Sequence, residues 1–486
     1  SISDSATNIQ KNLATLQSLN GRITAVRASS DAASVLTVSY KEYTADKGIL
    51  SKWSNNAGHQ FIFTDVTAAA ANTLWNNDFT NKLSIKDTAI NLQNNFDNLV
   101  SIQNQNSSKI TAVTQSNVTA LITLNTTQYA AAKDSVGFFT KLNKGISNIA
   151  VTGASVYDVV HSNGLRLGSE LRVKSISIVD STDNIDININ LLQNVGMKIK
   201  TISQDNMGID KTLELDATEI KNNSSVLGKI ITGYQLAAQN TAASQLNAML
   251  SNRKVISIDV KDSASNISRN WDSINKINSS INFVEVSDSD NPIKIKASQL
   301  ALSQGLINKF NVPAELAGVS GPTGEFKLEI SEATASQVEE LQASEQISGF
   351  DIKDTAENIG LYLADLKNSV DASNGKLRFI KTANSAQIEM SYATYSDPDT
   401  TTLLAKVNRG LYNIKLTDVT VDDLDEMTDP TVTSNLLFKD KAINSVEIKD
   451  SALNVQSNLS LLNSAGSRIK SIDLSYNLDG EDLILV

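Results

Sequence analysis

Asp87-Thr88-Ala89-Ile90-Asn91-Leu92 is one copy of a phrase, Asp-Ser/Thr-x-x-Asn-aliphatic, that the chain spells six times. The other copies begin at Asp4, Asp180, Asp262, Asp354 and Asp450, with the Asn at Asn8, Asn184, Asn266, Asn358 and Asn454. The spacings are 83, 93, 82, 92 and 96 residues. That is too long for a short solenoid repeat and close to the length of one small domain. Five full units and a truncated sixth follow: 1–83, 84–176, 177–255, 256–349, 350–445 and 446–486.

Around each phrase the hydrophobic period changes. An alternating segment precedes it (Ile256-Ser-Ile-Asp-Val260, Val446-Glu-Ile-Lys449), and a run with helical spacing follows, as in Ala6, Ile9, Leu13, Leu16 and Leu19. This placement predicts the Asp as the helix N-cap, its carboxylate accepting from free first-turn N–H groups. It predicts the Asn four residues on as a side chain bonding the backbone of a neighbouring strand or loop. After the helix comes a second alternating segment (Ser108-Lys-Ile-Thr-Ala-Val113), a polar turn such as Asp288 to Pro292 or Asn477 to Gly480, and a third (Ile293-Lys-Ile-Lys296). That pair reads as a hairpin. A second helical stretch (Ala297 to Phe310), a fourth strand ending in Thr-Asp-Val-Thr (64–67 and 417–420) and a short linking helix (Asp422 to Met427) complete the unit.

The order β-α-β-β-α-β is that of an α+β, ferredoxin-like split βαβ unit: two helices on one face of a mainly antiparallel four-stranded sheet. A competing arrangement pairs the fourth strand of one unit with the first of the next, fusing neighbouring sheets. With five prolines in the chain, flexible Pro-rich linkers between units are not expected.

Composition narrows the chemistry. The 486 residues carry a net charge of −11, contain no cysteine and have two histidines, His59 and His161, in different units. Thiol nucleophiles, disulfides and thiolate metal sites are excluded, and an acidic chain lacks the clustered cations that nucleic acid requires. No stretch reads as a membrane span, so direct membrane insertion is not expected. No nucleophile elbow, phosphate-binding loop or dinucleotide fingerprint occurs, and Gly318 to Gly324 reads as a plain loop. The chain is therefore read as non-enzymatic, with no catalytic residue singled out. Three acidic clusters are the candidates for Ca²⁺: Asp288 with Asp290, Asp397 with Asp399, and Asp422, Asp423, Asp425, Glu426 and Asp429. None fits an EF-hand, and each also reads as a turn or an acidic first helical turn. Trp271, at the position held by Leu13, Phe96 and Leu363 in other units, is expected in the core.

The phrase Asp-Thr-Ala-x-Asn-Ile, the Leu-spaced helix, the Lys-Ile-x-x-Ile strand and the Thr-Asp-Val-Thr strand end resemble the tandem domains of giant repetitive secreted bacterial surface proteins. These are exported by type I secretion alongside adhesins and S-layer proteins. The resemblance spans all 486 residues. It implies an extracellular or cell-surface location and a structural role in a surface layer, filament or adhesin stalk. It also implies self-association, for which strand addition at the truncated ends is the expected route. The alternative is an adhesin region that binds a glycan or cell-surface ligand through variable loops. Ser1 in place of Met marks the chain as processed or cut from something longer.

Overall fold

In the computed structural model the described residues are 1–29, 35–53, 60–145, 148–205, 211–310, 326–371, 375–408, 411–428 and 441–475. The fold is mixed α/β, with six small parallel sheets of two to four strands interleaved with helices. The chain divides into two compact units, Ser1–Ala237 and Ala238–Val486.

In the first unit, Ile2–Asp4 pairs in parallel with Val26–Ala28. Two four-stranded sheets follow. One contains Val35–Ser39, Gln60–Val66, Thr80–Asp87 and Ile110–Gln115; the other contains Ile122–Asn125, Ile149–Ala154, Val173–Asp180 and Ile199–Gln204. In both, every neighbouring pair is parallel and the strands lie in chain order. The second unit repeats the plan. In it Val255–Asp262 pairs in parallel with Ile281–Val286, and its two complete four-stranded sheets are Ile293–Lys296, Leu328–Ala333, Ile347–Asp354 and Leu377–Thr382, then Ile388–Ser391, Ile414–Val419, Ile443–Ser451 and Ile469–Ser475.

Among the described residues every strand pairing is parallel, so the antiparallel, ferredoxin-like pairing and its hairpin are not found there. Ile110–Gln115 and Ile122–Asn125, expected as hairpin partners, are an edge strand of one sheet and the opening strand of the next. What forms is the competing arrangement: the fourth strand of one repeat pairs with the first of the next, as Gln60–Val66 does with Thr80–Asp87. Strand alternation misled the reading because half-solvated strands usually signal antiparallel sheets, parallel ones being covered on both faces. Here the parallel sheets bury one face only. Leu36, Val38, Phe63, Leu83, Ile85 and Val113 are fully buried. The outward positions carry charge ladders, as where Lys294 and Arg378 both reach Glu329, at 3.4 and 2.6 Å.

Helices supply the other layer. Crossover helices touch in sequence: Ala68–Trp75 packs on Phe96–Gln105, and Phe96–Gln105 on Thr126–Asp134. In the second unit Val338–Ala343 packs on Leu363–Asp371, which packs on Pro398–Ala405. Consecutive parallel strands joined by crossovers of one hand leave their helices on one face of the sheet, and the core lies between these layers. Trp271 is 1% exposed, stacks on Phe310 and donates its indole N–H to Ser303 Oγ at 2.8 Å, as its core placement requires.

A bulge recurs in the second strand of each four-stranded sheet, with Asn240 at φ 46° in Gln235–Thr241. Asp65, Gly153, Glu332 and Asp418 in the others have φ of 51°, 67°, 57° and 54°. The register slips at the same places, for example between Phe63 and Val66. The Thr-Asp-Val-Thr phrase encodes this bulge, its Asp being the left-handed residue.

Candidate functional site

The repeated phrase keeps its Ser/Thr cap and its Asp–Asn bond in all six copies. The helix N-cap is the Ser/Thr after the Asp: Ser5, Thr88, Ser181, Ser263, Thr355 and Ser451 each accept from the backbone N–H of the Asn. This corrects the assignment of the cap to the Asp. The Asp sits one residue earlier, at or beside the strand end, and acts as a hub. Asp87 Oδ1 accepts from Thr88 N–H at 2.8 Å and from Asn91 Nδ2 at 2.7 Å, while Oδ2 accepts from Ala68 N–H at 2.9 Å.

The same three donors converge on Asp180, Asp262, Asp354 and Asp450. The third donor is always the first residue of the linking helix upstream: Val156, Ala243, Ala335 or Val421. One carboxylate thus ties the start of one helix to the start of the next. Asp4 holds the two local donors, Ser5 and Asn8.

The Asn side chain therefore bonds a carboxylate and not the backbone of a neighbouring strand, a second correction. In five copies its own carbonyl accepts from the Asn four residues on, as Asn95 Nδ2 to Asn91 O at 2.9 Å, while Tyr362 stands at that place after Asn358. Asn is a poor helix former. The second amide adds a side-chain donor to a carbonyl that already accepts from the backbone, Asn95 N–H to Asn91 O at 3.3 Å.

Six residues beyond each Asp lies a position that the sequence reading missed. Its side chain caps the first strand of the following sheet. Gln10 Oε1 accepts from Thr37 N–H and Gln93 Oε1 from Thr123 N–H, both at 3.1 Å. Asp186 Oδ2 accepts from Glu214 N–H at 3.2 Å, and Ser268 Oγ from Lys294 N–H at 2.8 Å. At Gly360 the strand itself closes in, so that a Cβ would stand 2.7 Å from Glu389 O. The residue types differ while the acceptor function recurs, so no letter pattern marked the position.

Burial pushes the Asp186 carboxyl up to about 6, helped by the charges of Glu214, Glu219 and Asp183, while the bond from Glu214 N–H opposes the rise. Its Oδ1 is buried without a partner. For Asp450, burial raises the carboxyl, but the bonds from Val421 N–H, Ser451 N–H and Asn454 outweigh it and hold the group below the ordinary carboxylate range.

The acidic clusters serve local backbone. Asp288 Oδ1 accepts from Ala264 N–H at 2.5 Å, the role Asn117 and Asn384 play for Ala89 and Ala356. Asp397 caps the helix Pro398–Ala405 and pairs with Lys367. Asp423 caps from within its helix, accepting from Thr420 N–H at 2.9 Å. Asp429 lies outside the described residues, as do His59, Gly318 to Gly324 and Asn477 to Val486. Among the described residues no group of three or more His, Asp or Glu is arranged to hold a metal ion, and no helix is long and apolar enough to cross a membrane. His161 ends the helix Val156–Val160 and stacks on Tyr157, with ring centroids 5.0 Å apart. In comparisons with known proteins, no family model and no curated protein matches the chain.

Proposed function

We propose that the chain is a non-enzymatic structural repeat module of the bacterial cell surface or extracellular matrix, part of a surface layer, filament or adhesin stalk. The observation that supports this reading is the hub, complete in five of the six copies. The residue types that could serve chemistry, a carboxylate, a hydroxyl and an amide in each copy, bond one another and their own helix start, and in five copies the carboxylate also joins that start to the helix upstream. Such a repeat multiplies a mechanical element, and the outward charge ladders keep the open sheet faces solvated without an extra layer. Sheet edges are the route for self-association.

Sedimentation velocity over a concentration series, with calcium and with chelator, tests the reading. Growth into large species supports the assembling form, and calcium dependence would add metal at the contacts between copies. A single sedimenting species at every concentration in both buffers contradicts the layer and filament forms and leaves only the stalk.

A further inference from the structure

The repeat is interrupted in the sheet that opens with Ile122–Asn125. Between the second and third strands of a sheet, 13 residues separate Val66 from Thr80, Thr241 from Val255 and Ala333 from Ile347. Between Ala154 and Val173 there are 18, all of them described, and between Val419 and Ile443 there are 23, part of which lies outside the described residues. The segment between Ala154 and Val173 folds against the helix Val156–Val160. Leu167 N–H donates to Asp158 O and Gly168 N–H to Val159 O, at 3.0 and 3.1 Å, which satisfies the carbonyls of the helix end. Gly168 is required there, since a Cβ would stand 2.6 Å from Val195 Cγ1, and Leu167 is fully buried. This is a packed loop with one defined shape.

The loop holds Arg166 at φ 59°. The other positive-φ side chains belong to recurring features: Asp65, Asn240, Glu332 and Asp418 to the second-strand bulge, and Asn143, Lys144 and Asn408 to the bend after the fourth-strand bridges at Leu142 and Val407. Arg166 has no equivalent among the described residues, so the repeat does not require its strain. Strain held by well-packed surroundings is concentrated at ligand sites.

Arg166 borders a cavity of about 290 Å³ between Val156–Val160 and Ile189–Asn194. Val159, Leu191 and Val195 are among its aliphatic lining, and His161, Asn194 and Arg166 among its polar lining. No acidic residue lines it, in a chain of net charge −11. Among the described residues the Arg166 guanidinium makes no hydrogen bond or ion pair. Its neighbour Glu170 is instead engaged by Arg172 at 3.0 Å.

We infer that this cavity is a binding site for a small aliphatic carboxylate, the carboxylate held by Arg166 and the hydrocarbon body laid against Val159, Leu191 and Val195. A guanidinium offers a planar fork of donors matched to a carboxylate. The volume sits at the small end of ligand pockets, which fits a branched acid of about five carbons. The wall is aliphatic where a sugar would call for an aromatic platform. The site is independent of the structural role proposed above.

The test is a ¹H–¹⁵N TROSY titration of the full chain with sodium isovalerate at constant ionic strength, with isovaleramide as the uncharged analogue. Saturable shifts confined to residues 156–170 and 189–196 are expected with isovalerate, and none with the amide. Arg166→Gln should weaken binding about tenfold or more, as loss of a charged hydrogen-bonded pair does, and Arg166→Lys should restore part of it. Leu191→Glu, at an exposed position that leaves the fold intact, should abolish binding by placing a carboxylate at the wall. Equal binding of the amide, unchanged affinity in Arg166→Gln or in Leu191→Glu, or no saturable shift with isovalerate would each overturn the inference.

Discussion

The smallest unit of the account is a carboxylate with three donors. Asp354 is 8% exposed and accepts from Thr355 N–H, Asn358 Nδ2 and Ala335 N–H. Asp354→Ala leaves those donors unpaired at a buried site. It should therefore cost about 2–4 kcal/mol, read as a lower midpoint in urea unfolding of the unit that contains it. The carboxyls also set opposed pH dependences. Asp186 titrates at about 6 in the fold and near 3.9 in an unfolded chain, so the folded state binds more protons between these values. Its contribution falls as pH rises through that window. Asp186→Asn should accordingly stabilise the fold at pH 7, by about 1 kcal/mol after allowing for solvent screening of a half-buried group, and should flatten the unfolding midpoint against pH between 4 and 6. Asp450 acts in the other sense. Its depressed carboxyl stabilises above the unfolded value, and that contribution is lost as pH falls through its folded value. Asp450→Asn should reduce the acid sensitivity of the second unit. The phrase itself was legible in the sequence because all six copies keep the Asp and the Asn. The direction of their bonds was not, because Asp-Ser/Thr offers two adjacent side chains able to cap the same helix.

At the scale of elements, alternation located the strands and the 3.6-residue period located the helices, but neither carries strand direction. The six residues between Gln115 and Ile122 suit a hairpin loop. The chain instead passes over the helix Ala89–Asn94, where Gln93 receives Thr123 N–H and starts a new sheet. That choice depends on a residue 30 positions away in sequence, and short-range pattern cannot see it. The second-strand bulge gives a cleaner case of local encoding. Gly153 has open space where a Cβ would stand but a φ of 67°. Gly153→Val should therefore cost about 1–2 kcal/mol through backbone strain alone, while Gly153→Asn, a residue that tolerates this region, should cost less than half as much in the same melt. Trp271 shows how one core position absorbs different side chains. It fills with an indole the space that Leu13, Phe96, Ile189 and Leu363 fill in other repeats, all at most 6% exposed. Trp271→Leu should cost about 2–4 kcal/mol, because the surrounding residues are shaped for the larger group and Ser303 loses its donor.

At the scale of the whole molecule, a chain of net charge −11 without cysteine repeats one hydrogen-bonded hub at intervals of 82 to 96 residues and sorts into two compact units. The repeat was plain in the sequence; the unit of packing was not, since each sheet draws its strands from two successive repeats. The boundary read at 83/84 accordingly falls inside the strand Thr80–Asp87, and that at 445/446 inside Ile443–Ser451. Packing that runs across sequence repeats suits an element meant to be multiplied, which is the basis of the structural role proposed here. Electron microscopy of the purified chain at high concentration, imaged with calcium and again with chelator, tests that role most directly. The account predicts ordered filaments or layers in at least one of the two conditions. Isolated, unassociated particles in both would contradict it in its layer and filament forms, leaving only the stalk.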